Sequence, residues 1–489
     1  MVSDADAETV SKTRGVALIV TLAGITFLNT MGSGILIAAT PQLARDVGLS
    51  QALLLWPAAV YALAAGCLLL IFGATADVVG AKPMWITGSY LYCAFTVALG
   101  LATTGMQVIV FRALLGAAIA MVLPCNVGLI THTFPRGSWR NTAFAMNGMG
   151  SPLGYAVGLV LGGIFTDSIG WRWAYYMMAI INFLIATAAL WALPNPRTRT
   201  DRKWAERLSD IDWTGAVVLS AGLGLLMYVL AQTSSSYIRL GYAQNAALLA
   251  LSLALLAAFP CWMHWQVKRG RPALIPNRLW TNASFTAVCA SVFFCWASLN
   301  AVEYFITLYF QEVEGVSALQ SSLRFIPHPV AGAIVNVCTA WLISRVRLQT
   351  LMVTSAAITV IPPVLMATIS IGDNYWFAPF WALLLSPINP DVLFTASNLV
   401  ISEAFPPELQ NLAGGVFNQV SQIANSVGLA ATAAIAASVT EHSDIANDEI
   451  ARMEGYRAAF WTVFAATAVV LAISLVGFRQ AGTVGKKDD

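Results

Sequence analysis

The chain has 489 residues, of which 58% are hydrophobic and only 10% charged, and its formal net charge is +2. A typical soluble domain carries about 25% charged residues to cover its surface, so this composition predicts one membrane domain rather than several soluble ones. The small net charge, and the absence of a basic run interleaved with aromatic residues, argue against nucleic-acid binding.

Fourteen apolar stretches are long enough to cross a bilayer, which takes roughly 20 residues of helix. Their continuous Leu, Ala, Val, Ile and Phe runs lack β-barrel alternation, so helices must satisfy the backbone polar groups. We therefore predict an all-α polytopic membrane protein. The predicted spans are 16–39, 53–75, 84–102, 106–128, 141–165, 173–193, 213–232, 243–263, 285–309, 321–343, 349–371, 376–401, 412–437 and 459–478.

The loop charges predict the orientation of these spans. With a cytoplasmic N-terminus, 19 Lys and Arg residues lie in the cytoplasm, six lie outside and Arg112 lies in the membrane. The positive-inside rule therefore places both termini in the cytoplasm. Segment 402–411 is the one exception, since it holds Glu403 and Glu408 but no basic residue.

A short polar turn, residues 73–82, follows the second span. A sharp reversal between two helices favours glycine, and Asp77 is placed to pair with a helix end or an arginine. We interpret Gly73, Asp77, Gly80 and Lys82 as a cytoplasmic gating loop. The alternative is an ordinary tight turn.

Arg112 stands inside the fourth span and is followed four residues later by Gly116. An arginine in the membrane interior is unfavourable by about 2.5–3.5 kcal/mol on insertion scales, so it is expected to face a polar cavity or a partner. The alternative is a side chain that reaches outward to the membrane surface from a span end.

Glycines recur every four residues in the fifth span, at Gly150, Gly154, Gly158 and Gly162. They form one smooth helix face, which allows another helix to approach closely. This face resembles the antiporter motif of drug-exporting facilitators, and the resemblance implies an antiporter-like glycine face. The alternative is helix packing with no link to the direction of transport.

Asp391 lies deep in the twelfth span, after Pro387 and Pro390. The prolines are expected to interrupt the helix and free carbonyl groups beside the carboxylate, a frequent setting for an ion or proton site. Asp391 is therefore the candidate proton carrier. The alternative is an aspartate that caps the restarted helix.

Three further polar residues complete the predicted proton and substrate pathway. Glu303 and His328 lie nearer the outer ends of spans nine and ten, where residues of a wetted vestibule are expected. The first span contributes Asn29 but no acid. Many exporters of the drug-exporting branch that the chain resembles carry an aspartate at the position of Gly32.

The seven cysteines all fall in apolar stretches and form no CxxC pair, so we predict small buried side chains rather than disulfides or metal ligands. The four histidines are isolated, which argues against a two-metal histidine box and makes a membrane enzyme a remote alternative. No cofactor and no metal are expected. The cysteines are Cys67, Cys93, Cys125, Cys261, Cys289, Cys295 and Cys338.

The ordered motifs resemble the fourteen-helix drug:proton antiporter family of the major facilitator superfamily. Besides residues 73–82, Arg112–Gly116 and the glycine face, the resemblance is carried by residues 171–176, 212–215, 272–276, 309–311 and 455–461. The last of these, with Asp391, is similar to the fungal aminotriazole-resistance and ammonium-transporter-like branch. Val78, Ala81 and Leu159 depart from the usual motifs.

This resemblance implies a major facilitator fold with a substrate path between two six-helix bundles. The expected parts are a cytoplasmic tail (1–15), an N-terminal bundle (16–193), a basic linker with two inserted helices and an interfacial loop (194–284), a C-terminal bundle (285–478) and a cytoplasmic tail (479–489).

The resemblance also implies proton-coupled efflux of a small organic compound, such as a toxic metabolite or xenobiotic, by alternating access. The expected partners are that compound, protons and the lipid bilayer, and the protein is expected to be a monomer in a fungal plasma membrane, with the vacuolar membrane as the alternative. A facilitator for a small polar solute such as ammonium or borate is the rival interpretation.

Overall fold

The structure, a computed structural model, describes residues 11–49, 56–135, 137–194, 211–235, 242–271, 273–275, 277–405, 409–443, 445 and 447–479. Most of the predicted N-terminal tail, the basic linker between 195 and 210 and the C-terminal tail from 480 lie outside these residues, as does part of the interfacial loop. We call the end of the molecule where the first helix begins the inner end and the opposite end the outer end.

Seventeen α-helices occupy the described residues, with a short 3₁₀-helix at Asn277–Thr281 and a π-helical turn at Tyr309–Val313. They are α1 Lys12–Asp46, α2 Trp56–Val79, α3 Ala81–Gly100, α4 Gly105–Thr133, α5 Ser138–Ser168, α6 Trp171–Ala192, α7 Trp213–Ser235, α8 Ala243–Lys268, α9 Ala283–Leu308, α10 Ala318–Arg324, α11 Pro327–Leu342, α12 Leu348–Thr359, α13 Ile361–Thr368, α14 Pro379–Leu385, α15 Ile388–Ala404, α16 Gln410–Glu441 and α17 Asp448–Gly477.

Twelve helical segments among the described residues are long and apolar enough to cross a membrane. They correspond to twelve of the fourteen predicted spans. The other two, 84–102 and 376–401, coincide with α3, which carries several polar residues, and with the interrupted pair α14 and α15. The all-helical architecture is as predicted, and the count of fourteen spans stays a prediction.

Prolines explain the interruptions in three C-terminal spans. The breaks precede Pro327 between α10 and α11, Pro362 between α12 and α13, and Ile388 after Pro387 between α14 and α15. Proline lacks the backbone N–H and clashes with the preceding turn, so a helix ends or bends there. The predicted interruption before Asp391 therefore lies between Leu385 and Ile388.

The helices form two bundles with α7 between them. In the N-terminal bundle α1 packs on α5 and α6, while α4 packs on α2 and α3. In the C-terminal bundle α9 packs on α16 and α17. Helix α7 packs on α8 and touches both α2 and α16, and the bundles meet directly where α5 packs on α11 and α2 packs on α16.

The glycine face of α5 packs directly against the backbone of α1. A Cβ atom built on Gly150 would lie 2.7 Å from the carbonyl oxygen of Ala23, and one built on Gly158 would overlap the carbonyl of Met31. Both contacts would be closer than those that real Cβ atoms make, so only glycine permits the two helices to approach this closely. The opposing residues on α1 follow the same spacing of four, at Ala23, Phe27, Met31 and Ile35.

The cysteines are less buried than predicted. Cys125, Cys289 and Cys295 are buried, Cys67 and Cys93 are partly buried, and Cys261 and Cys338 are exposed. Because these helices are hydrophobic all round, a position in an apolar stretch does not tell a core-facing side chain from a lipid-facing one. The prediction of seven buried cysteines is therefore wrong for these two.

Candidate functional site

A cavity of about 490 Å³ lies between the two bundles. Its N-terminal wall is built by α1, α2, α4 and α5, and its C-terminal wall by α9, α11, α15 and α16. The lining reaches outward to Ile37 on α1, Ala58 on α2 and Ala433 on α16, but no further inward on α1 than Thr26. Its volume suits a small organic molecule.

Asp391 lies in the first turn of α15 and faces this cavity. The carboxyl group is buried, and its Oδ2 atom has no hydrogen-bond partner among the described residues. The Asn336 side chain lies within hydrogen-bonding range of the carboxyl group and also donates from Nδ2 to the Gly332 carbonyl oxygen at 2.9 Å. A Cβ on Gly332 would stand 2.7 Å from Oδ2, so this glycine leaves room for the carboxylate.

Glu303 and His328 form a pair on the same wall. The Glu303 Oε1 atom lies 3.1 Å from His328 Nε2, and His328 Nδ1 lies 2.9 Å from Ser386 Oγ. His328 is buried and Glu303 is only partly accessible. Both residues line the cavity, and their pairing was not predicted.

Arg112 occupies the opposite wall of the cavity. Its side chain is 3% exposed, Nε donates to the Pro57 carbonyl oxygen at 3.1 Å, and the guanidinium carbon lies 4.9 Å from the centre of the Tyr61 ring. No carboxylate among the described residues forms an ion pair with it. Arg112 therefore points into the interior rather than along a span end to the membrane surface.

Amide side chains line much of the remaining surface. Asn29 accepts a hydrogen bond from the hydroxyl group of Tyr61, and Asn126 Nδ2 lies 3.3 Å from Asn147 Oδ1. On the C-terminal wall Asn300 Nδ2 donates to Asn425 Oδ1 at 2.7 Å. Such amides offer both donors and acceptors to a polar ligand.

The predicted gating loop lies at the inner end of the molecule. Gly80 separates α2 from α3 at a φ of +111°, a conformation that favours glycine. Lys82 Nζ donates to two carbonyl oxygens at the C-terminal end of α6, at 3.0 and 2.8 Å, where a cation is favourable. Gly73 is buried, and the side chain of Asp77 lies outside the described residues.

Hydrogen bonds join the bundles on the inner side of the cavity. Arg140 Nη2 on α5 donates to the Ser402 carbonyl oxygen at 3.2 Å, and Gln410 Nε2 donates to the same oxygen at 3.1 Å. Gln410 also accepts a hydrogen bond from Thr131 on α4. Sequence analysis missed these residues, since Arg140 counted only as one cytoplasmic charge among many.

Comparison with protein families gives a match to the Major Facilitator Superfamily over residues 22–429. The chain is 45% identical to MFS-type transporter 1 of Pyricularia oryzae, over 97% of this chain and 85% of that protein. It is 26% identical to the low affinity ammonium transporter of Saccharomyces cerevisiae, over 83% and 77%. It is 24% identical to the efflux pump terJ of Aspergillus terreus, over 94% and 87%.

Among solved structures, the human organic anion transporter MFSD10 (TETRAN) superposes with a TM-score of 0.63. The match covers 94% of this chain and 98% of that one at 13% identity. This likeness concerns the fold.

Proposed function

Because the chain belongs to the major facilitator superfamily, we propose that it exports a small organic compound in exchange for protons by alternating access, from the cytoplasm across the plasma membrane. The observation that carries this proposal is the buried carboxyl group of Asp391, whose Oδ2 atom has no hydrogen-bond partner among the described residues in a cavity lined by both bundles. A buried carboxyl group without a charged partner is well suited to bind and release a proton.

In the proposed mechanism Asp391 exchanges a proton for substrate. Substrate entering from the inner side would displace the proton from Asp391, and a proton entering from the outer side would displace the substrate. The neighbouring Glu303–His328 pair, at 3.1 Å, would hold the C-terminal wall in place while this charge changes.

Export is the preferred direction because the motif resemblance points to drug:proton antiporters and one relative is an efflux pump. The rival is a facilitator for a small polar solute, favoured by the ammonium transporter among the relatives. The two differ in energetics, because a facilitator does not respond to an imposed pH gradient unless the gradient changes the charge of its solute.

The experiment is substrate-driven proton movement in proteoliposomes loaded with the pH-sensitive dye pyranine. Aminotriazole, ammonium chloride, boric acid and a library of uncharged and charged xenobiotics serve as probes. We expect at least one organic compound to drive proton flux with the native protein and none to do so with Asp391→Asn. Asp391→Glu is expected to retain partial flux.

Asp373→Asn is the matched control, because Asp373 lies in the outer loop, where its carboxylate accepts from the Ser370 N–H, and not in the cavity. It is expected to behave like the native protein. Full proton flux with Asp391→Asn would place the proton carrier elsewhere. Transport of ammonium or borate that ignores the gradient, with no organic compound driving proton flux, would favour the facilitator.

A further inference from the structure

We propose that the substrate is a bipolar molecule, with a basic group at one end, an acidic or strongly hydrogen-bond-accepting group at the other and an apolar body between them. This inference rests on the proposed transport function of the same cavity and names its substrate class. The argument comes from two buried polar groups of opposite charge, each without a charged partner, on facing walls.

The first group is the guanidinium of Arg112 on the N-terminal wall. Its Nε atom donates to Pro57, but no described residue accepts from the two terminal nitrogens. These nitrogens form a planar fork that fits a carboxylate or a similar acceptor. At 3% exposure, this charge has lost nearly all contact with bulk water, so an acceptor from the substrate would stabilise it.

The second group is the carboxyl group of Asp391 on the C-terminal wall. The other charged side chains near it are Glu303 and His328, which already contact each other at 3.1 Å. A protonated amine on the substrate would supply the donor that Oδ2 lacks. Asp391 therefore selects a basic group and Arg112 an acidic one.

An aromatic cluster lies on the C-terminal wall and suits the body of such a molecule. The ring centroids of Phe394 and Phe417 are 5.7 Å apart, and Trp296 lies 6.2 Å from Phe417 and 6.4 Å from Phe394. All three line the cavity. Apolar and aromatic groups bury favourably against such rings.

A ligand with a single charge fits this cavity less well. A lipophilic cation would satisfy Asp391 but leave Arg112 buried without a counter-charge, and an organic anion would do the reverse. A buried charge without a partner is strongly unfavourable. The zwitterion of a given scaffold should therefore bind more tightly than either of its singly charged derivatives.

The test is equilibrium binding to the purified protein in detergent at a single pH, with affinities taken from ligand-dependent thermal stabilisation. Two scaffolds serve as probes, para-aminomethylbenzoic acid and the dipeptide phenylalanyl-phenylalanine. Each is used as the zwitterion, the cationic methyl ester, the anionic N-acetyl derivative and the neutral doubly blocked form. Tetraphenylphosphonium represents a lipophilic cation.

For at least one scaffold we expect the zwitterion to bind about tenfold or more tightly than each derivative, in line with the strength of charge-assisted hydrogen bonds. Arg112→Gln should remove the preference for the zwitterion over the ester. Asp391→Asn should remove the preference for the zwitterion over the N-acetyl form. Arg172→Gln and Asp373→Asn make the same chemical changes outside the cavity, at sites that contact Asp46 and Ser370, and should change nothing.

The inference is overturned if no zwitterion binds, if tetraphenylphosphonium or an ester binds as tightly, or if the two variants leave the preferences intact. Because binding is measured without a gradient, it is independent of the flux experiment. Zwitterion binding without proton-driven flux would contradict the proposed function and support the bipolar substrate class. Proton-driven flux of lipophilic cations alone would support the proposed function and contradict the bipolar substrate class.

Discussion

At the scale of single residues, the charged groups of the cavity divide into paired and unpaired ones. Glu303 and His328 pair with each other, whereas neither Asp391 nor Arg112 forms an ion pair among the described residues. Sequence alone identified all four as pathway candidates because ionisable side chains are rare in apolar spans. It did not predict the pairing of Glu303 on α9 with His328 on α11. Contacts between two helices depend on how each helix is rotated about its own axis, and the hydropathy of the sequence does not determine that rotation.

The Glu303–His328 contact predicts coupled effects on stability. Glu303→Gln and His328→Gln should each lower the midpoint of thermal unfolding, and the double variant should lose less than the sum of the two. The expected interaction energy is about 0.5–3 kcal/mol, typical of residues in one network. The measurement is unfolding of the purified protein in detergent, followed by tryptophan fluorescence.

His442→Gln is the matched control for this cycle, because His442 is exposed in the loop after α16 and should leave the midpoint unchanged. Strictly additive losses in the double variant would show that the two side chains act independently, whatever their separation.

At the scale of helices, hydropathy located twelve of the predicted spans, because a bilayer fixes both their length and their apolar character, but the last helix begins at Asp448, well before the predicted start at 459. Of the proline interruptions, only the one before Asp391 was predicted. The sequence did not show which neighbouring helix each helix face contacts. The glycine pattern of α5 indicated a close neighbour, but only the structure identifies it as α1.

The α1–α5 interface predicts opposite outcomes for two Gly→Ala substitutions. A Cβ on Gly158 would overlap the backbone of Met31, whereas a Cβ on Gly415 of α16 would lie 3.5 Å from the Leu69 carbonyl oxygen, an ordinary contact. Gly158→Ala should therefore destabilise the protein. Gly415→Ala should be neutral or stabilising by up to about 1 kcal/mol, since alanine favours the helix.

Both variants are compared with the native protein by thermal unfolding and by size-exclusion chromatography after extraction in detergent. Equal stability of Gly158→Ala and the native chain would mean that α1 and α5 are less closely packed than the structure shows.

At the scale of the whole molecule, hydrogen bonds join the two bundles on the inner side of the cavity. They connect Arg140 on α5 and Thr131 on α4 to Ser402 and Gln410. Sequence could predict two bundles, through the resemblance, but not which side carries these contacts. An alternating transporter has at least two arrangements of one sequence, and their balance depends on small differences in free energy.

If the bundles rock about the central site, these inner contacts must separate once in each cycle. Cysteines at Thr131 and Gln410, joined by a short bifunctional thiol reagent, should therefore stop proton-linked transport, and cleavage of the linker should restore it. The same treatment of Tyr90→Cys/Thr187→Cys should leave transport intact, because the hydroxyl groups of Tyr90 and Thr187 lie 3.3 Å apart within one bundle.

The measurement is pyranine-reported flux in proteoliposomes, and the cross-linked fraction is determined on the same sample. Both cysteine pairs are introduced after the native cysteines have been replaced. Normal flux in a fully cross-linked Thr131→Cys/Gln410→Cys sample would mean that the inner contacts do not open during transport. The substrate would then have to cross by a route other than the cavity between the bundles.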